Sequence, residues 1–200
     1  MKKVFSIALI AVLLMSTIFT FAGCLFKDGS EDEVPGVYGV DKMFYKSYDG
    51  KTYNYAGKFE YYLLVLNKDA KTGKVIIKPV DGEETSYDVT YSLEFDSENE
   101  KVVKKVNVIG FRLPTYVDET GELSFAEPAD IAFVLYPKRR DLKYKDTTPR
   151  IEDWKTKFRT NHLEFHKITN KTSKKKIESA KRRQIKFREK RGEKYNDTKE

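Results

Sequence analysis

The stretch from Thr85 to Phe95 narrows the fold more than any other part of this chain. Tyr87, Val89, Tyr91, Leu93 and Phe95 alternate there with Asp88, Thr90, Ser92 and Glu94. A period of two is that of a strand with one face buried and the other in water. Such a strand needs paired neighbours and a second layer over its apolar face, so the chain is expected to build antiparallel sheet around it. Asp96 to Glu100 reads as the turn that follows. The next run places Val106 and Val108 in phase and then switches to Ile109, Phe111 and Leu113. A phase switch beside Gly110 predicts a β-bulge or a bend.

Two runs are apolar without alternation, Tyr61 to Leu66 and Ile131 to Tyr136. Continuous apolar strands predict cover on both faces. Asn67 to Gly73 predicts a hairpin into Lys74–Val80, and Asp118 to Gly121 predicts another between Tyr116-Val117 and Leu123–Phe125. Five prolines, at 35, 114, 128, 137 and 149, punctuate these elements, while Pro79 marks a strand end or an edge. From Ile151 to Ile168 the period changes: Ile151, Trp154, Phe158, Phe165 and Ile168 fit a helical stripe, with Thr148-Pro149 as its start. The expected fold class is mainly β (α+β). It is an antiparallel β sandwich or partly open barrel with one C-terminal capping helix and a basic, partly helical or disordered tail.

The first residues carry a different kind of signal. Lys2 and Lys3 precede an uncharged run from Val4 to Gly23, with Ile7 to Met15 as its apolar heart. The run ends in Phe21-Ala22-Gly23-Cys24. Small residues directly before a cysteine resemble the lipobox of prokaryotic lipoproteins. That resemblance covers residues 1–24 alone, and Phe21 departs from the usual Leu, Val or Ile. It implies cleavage before Cys24, a diacylglyceryl group on its sulfur, and a domain on the extracytoplasmic face of the cell membrane. An uncleaved transmembrane helix is the alternative, since twenty uncharged residues are long enough to span. Both readings put the domain outside, because the positive end stays inside. Cys24 is the only cysteine. Disulfides within the chain and cysteine-based metal sites are therefore excluded, and lipidation would account for the residue. The chain divides on these readings into a signal peptide (1–23), a lipidated and acidic tether (24–35), a β-rich domain with its helix (36–168) and a basic tail (169–200).

Charge is unevenly placed. Residues 171–200 hold 13 Lys/Arg against 5 Asp/Glu, whereas residues 1–170 hold 25 against 26. Lys174, Lys175, Lys176, Lys181, Arg182, Arg183, Lys186, Arg188, Lys190 and Arg191 are candidates for contact with an anionic membrane surface or polymer. Export argues against nucleic acid as a regular partner. His162 and His166 are the only histidines. At i and i+4 of a helix they would share a face and could share a metal ion, with no third ligand in view. Asn170 and Asn196 open Asn-X-Thr glycosylation patterns. The paired acids Glu83-Glu84 and Asp118-Glu119 fall in turns, where a catalytic pair gains neither burial nor fixed separation. Walker A, GxSxG and GxGxxG patterns are missing, so neither a catalytic residue nor a cofactor is nominated. The expectation is a membrane-anchored lipoprotein serving as a binding or interaction module of the cell envelope. Alternatives are a lipid-anchored enzyme and a structural envelope protein with a polyanion-binding tail.

Overall fold

The computed structural model describes residues 29–46, 52–54, 56–117, 122–145, 157–159 and 162–196. The leader, Cys24, the 118–121 turn, Ile151 and Trp154 lie outside the described residues. Strands β1 (Gly36–Lys46), β3 (Phe59–Leu66), β4 (Thr72–Pro79), β5 (Thr85–Phe95) and β6 (Val103–Phe111) follow one another, with the short β2 (Thr52–Asn54) paired to the end of β1. After β7 (Pro114–Val117) and β8 (Glu122–Phe125) come β9 (Ala129–Tyr136), β10 (Asp141–Lys145), β11 (Lys157–Arg159) and β12 (His162–Thr169). One helix, α1 (Lys174–Asn196), ends the described chain.

The sheet runs β12-β10-β9-β6-β5-β4-β3-β1, and β12 pairs back onto β1. Eight antiparallel strands therefore form a closed barrel. Closure removes the unpaired edges that a sandwich or a partly open barrel would leave. Strands β11, β7 and β8 form a separate three-stranded sheet. Where the phase of apolar residues switches, the β6–β9 ladder shifts register between Val108 and Phe111, and Gly110 adopts φ +79°. The bulge expected there is present, at a residue without a Cβ to oppose it.

Alternation fills the barrel. Tyr38, Phe59, Tyr62, Phe111, Phe133 and Phe165 all point inward and are fully buried. Phe165 meets Tyr62 edge-on at 5.5 Å, and Phe111 meets Phe133 in the same way at 5.5 Å. Interlocked rings of this kind occupy the interior with side chains rather than leaving it to a ligand. On the outside of β5, Ser86, Asp88, Thr90, Ser92 and Glu94 are exposed. An apolar interior and polar wall are the reverse of a membrane-spanning barrel. Among the described residues no helix is long and apolar enough to cross a membrane.

Three expectations are corrected. The helix expected over Ile151–Ile168 is strand wherever it is described, at β11 and β12. Leu163 and Phe165 point into the barrel while His162 and Glu164 point out, so period two governs after all. The helix lies instead within the basic tail. Its Ile177, Ala180 and Ile185 cover Val37, Tyr61, Leu63, Val65 and Ile76 on the outer wall. That cover explains why Tyr61 to Leu66 is apolar on both faces. Ile131 to Tyr136 is different: Val134 and Tyr136 are exposed, so only one face of β9 is covered.

Candidate functional site

Barrel strands alternate in direction, so the turns fall at two ends. The near end carries the start of β1, the β3–β4, β5–β6 and β9–β10 turns, and the β12–α1 junction. Residues 29–35 cross its mouth. They were expected to be a solvated tether, but Glu31–Glu33 forms a 3-10 turn and Val34 is fully buried in the core. The Gly29 carbonyl accepts from Val103 N at 2.7 Å, and Tyr38 Oη donates to the Val34 carbonyl at 2.5 Å. Asp32 pairs with Lys68 at 2.9 Å, and Glu31 pairs with Lys71.

Lys167 completes this plug. It holds the inward position that follows Leu163 and Phe165, and its ammonium donates to the Glu33 carbonyl while lying 5.3 Å over the Tyr38 ring. Burial, with Arg140 nearby, lowers its pKa to about 8 although Glu33 opposes the shift. Burial likewise pushes the Tyr38 phenol far above its ordinary range. A crevice of about 30 Å³ beside these groups is lined by Glu33, Tyr38, Leu135, Arg140, Lys167 and Asn170 among others. That is room for a water-sized group.

A second polar cluster lies on the outer wall of β12. Glu164 accepts from His162 Nε2 at 2.8 Å and pairs with Lys42 and Lys143, each at 3.2 Å. Burial alone would raise the Glu164 carboxyl, but these three contacts hold it below its ordinary value. His166 Nδ1 pairs with Asp141 at 2.7 Å. On a strand, His162 and His166 stand about 13 Å apart. The shared metal that a helix would have allowed is thereby lost, and each histidine instead faces a carboxylate on its own side. Among the described residues no group of three His, Cys, Asp or Glu could hold a metal ion.

The basic residues of α1 divide into two faces. Lys181, Arg188 and Arg191 turn toward the barrel with Gln184. A β-bulge between Val40 and Lys42 leaves carbonyls outside the ladder, and α1 meets them. Gln184 Nε2 and Arg188 Nη2 donate to the Val40 carbonyl at 3.2 and 2.7 Å, and Arg191 donates to Asp41 O at 2.8 Å. Burial lowers the Arg188 guanidinium to about 10. Lys181 reaches Glu84 at 2.6 Å, and this contact with that of Tyr61 holds the Glu84 carboxyl low. Glu84 is thus bound in an ion pair rather than paired catalytically with the exposed Glu83. Arg182, Arg183, Lys186 and Lys190 face away from the barrel into solvent, and Lys174, Lys175 and Lys176 are exposed in the first turn of α1. Asn170 is exposed at the β12–α1 junction, whereas Asn196 ends α1 with its side chain outside the described residues.

Of the ten tail cations singled out in the sequence, Lys181, Arg188 and Arg191 serve the seat of α1, while Lys167, Glu164 and the Lys138-Arg139-Arg140 turn were passed over. Parity with Leu163 and Phe165 was the available signal for Lys167. No family model, no curated protein and no solved structure matches this chain.

Proposed function

We propose that the chain is a membrane-anchored extracytoplasmic lipoprotein, held by a lipid on Cys24, that serves as an interaction module of the cell envelope. The observation that carries the interaction reading is the outward face of α1, where Arg182, Arg183, Lys186 and Lys190 are exposed together on a rigid wall. The filled barrel supports it from the other side, because among the described residues side chains occupy the barrel interior. An anionic polymer is the partner chemistry this face suits. The anchor reading rests on the residues before Cys24 and on that cysteine having no other evident role.

An enzymatic reading has one observation in its favour, the buried Lys167 amine. The crevice beside it is small, about 30 Å³, which ranks this reading second.

The test compares wild type with Cys24→Ser and with a variant carrying Arg182, Arg183, Lys186 and Lys190 changed to Glu. Lipid labelling and a shortened wild-type chain support the anchor, and an unlabelled full-length chain refutes it. Salt-sensitive binding of wild type, but not of the charge variant, to immobilised dextran sulfate supports the α1 face. Equal binding by both removes that face from the function.

A further inference from the structure

The near end of the barrel carries a second cationic surface, distinct from the outward face of α1. We propose that it docks on anionic lipid headgroups through Lys138, Arg139 and Arg140 of the β9–β10 turn and Lys171, Lys174 and Lys175 of the β12–α1 junction. The barrel then stands end-on upon the membrane that holds Cys24. This inference rests on the anchor reading above.

Chain length supplies the first argument. Gly29 is already fastened to the barrel by its carbonyl bond to Val103 and by its N–H bond to Glu33 Oε2 at 3.1 Å. Only residues 25–28 separate it from Cys24, a span of at most about 17 Å when fully extended. A lipid on Cys24 therefore brings the near end, and no other part of the barrel, to the headgroups.

Charge supplies the second. The two cationic segments are stitched side by side, because Lys167 N donates to the Arg140 carbonyl at 2.9 Å and β10 pairs with β12. All six side chains are exposed. Elsewhere on this end Lys68 is paired with Asp32, Lys71 with Glu31 and Lys104 with Asp96. Among the described residues none of the six has a carboxylate partner. The β5–β6 turn on the same end carries Asp96, Glu98 and Glu100, so the barrel should lean away from that turn and toward the β9–β10 side. Each basic side chain close to an anionic surface strengthens association about fivefold.

Distance separates this surface from the rest of α1. Lys181 reaches Glu84 in the β4–β5 turn, at the opposite end of the barrel. Lys190 lies about 24 Å along the helix from Lys174. Screening extends over only about 8 Å at physiological ionic strength. The helix thus cannot lie flat on the headgroups while it packs on the barrel wall, and its later cations face elsewhere.

Because Cys24 is the only cysteine, a fluorophore can be placed at a new thiol on the lipidated full chain. Ser173→Cys marks the near end and Glu83→Cys the far end. The proteins are mixed with phosphatidylcholine vesicles, with or without phosphatidylglycerol, carrying a headgroup quencher. The expected result is flotation with both vesicles and stronger quenching of the Ser173→Cys label with phosphatidylglycerol than without it, the excess being lost at high salt. Changing Lys138 and Arg139 to Gln should weaken the quenched state about fivefold per residue. Flotation with both vesicles but equal quenching in both, or none, overturns the docking surface while leaving the anchor intact. Release of the label from phosphatidylglycerol by soluble dextran sulfate at matched charge assigns the surface to a polymer and overturns the lipid partner. Failure to float with phosphatidylcholine refutes the anchor itself, and the docking proposal falls with it.

Discussion

At the scale of single residues, Lys167 is a buried side chain that carries charge at neutral pH. Its folded pKa is lowered from 10.5 to about 8. Between those values the unfolded chain binds the extra proton, so stability must rise with pH across that window. Above about pH 10 Tyr38 opposes that rise, because it ionises in the unfolded chain but is held neutral by burial in the fold, whereas the lowered Arg188 acts in the other direction. Urea denaturation should therefore show stability rising between about pH 8 and pH 10. In Lys167→Met the rise from pH 8 should be absent; an unchanged rise would show that Lys167 is not its source. Tyr38→Phe removes the donor to the buried Val34 carbonyl and should cost about 1–3 kcal/mol by the same measurement.

Among elements, the seat of α1 decides how the tail is to be probed. Gly39 lies beneath it, and a Cβ there would stand 2.3 Å from Gln184 Nε2 and 2.8 Å from Ile168 Cδ1. Gly39→Ala should lift the helix and cost about 1–3 kcal/mol, read as a lower urea midpoint. Gln184→Met should cost less than about 1 kcal/mol. Arg188 still serves the Val40 carbonyl, and the buried Gln184 Oε1, which has no partner, is removed. A truncation at residue 170 would uncover Val37, Leu63 and Val65, so it should aggregate rather than report on charge. The same seat explains what the sequence could and could not reveal. Period two was plain in β5 because that strand meets water on one side. In β12 it was obscured where the local environment is inverted: Lys167 points inward to close the mouth, and Ile168 points outward beside α1. The remaining apolar positions then matched helical spacing by coincidence. Ile177, Ala180 and Ile185 are sparse apolar positions in a basic tail, and a docked helix with so many cations is recognisable only once the carbonyls that bind them are in view.

For the whole molecule, the exposed charge separates into two surfaces with separable readouts. Reversing Arg182, Arg183, Lys186 and Lys190 should abolish salt-sensitive retention on dextran sulfate and leave the unfolding free energy within about 0.5 kcal/mol of wild type. None of the four takes part in the seat of α1, so a large loss of stability would show that the outer face is structural. Lys138 and Arg139 should instead govern contact with anionic vesicles. A variant altered in one surface should retain the behaviour of the other.

The pairing of β1 with β12 also sets an order in time. The first strand of the barrel cannot find its partner until His162–Thr169 has been made and delivered, more than a hundred residues later. A chain that enters a translocation channel by its N-terminus would hold an open sheet until its last strand emerged. It would remain threadable throughout transit and lock only on arrival, when α1 could settle over the newly made seam.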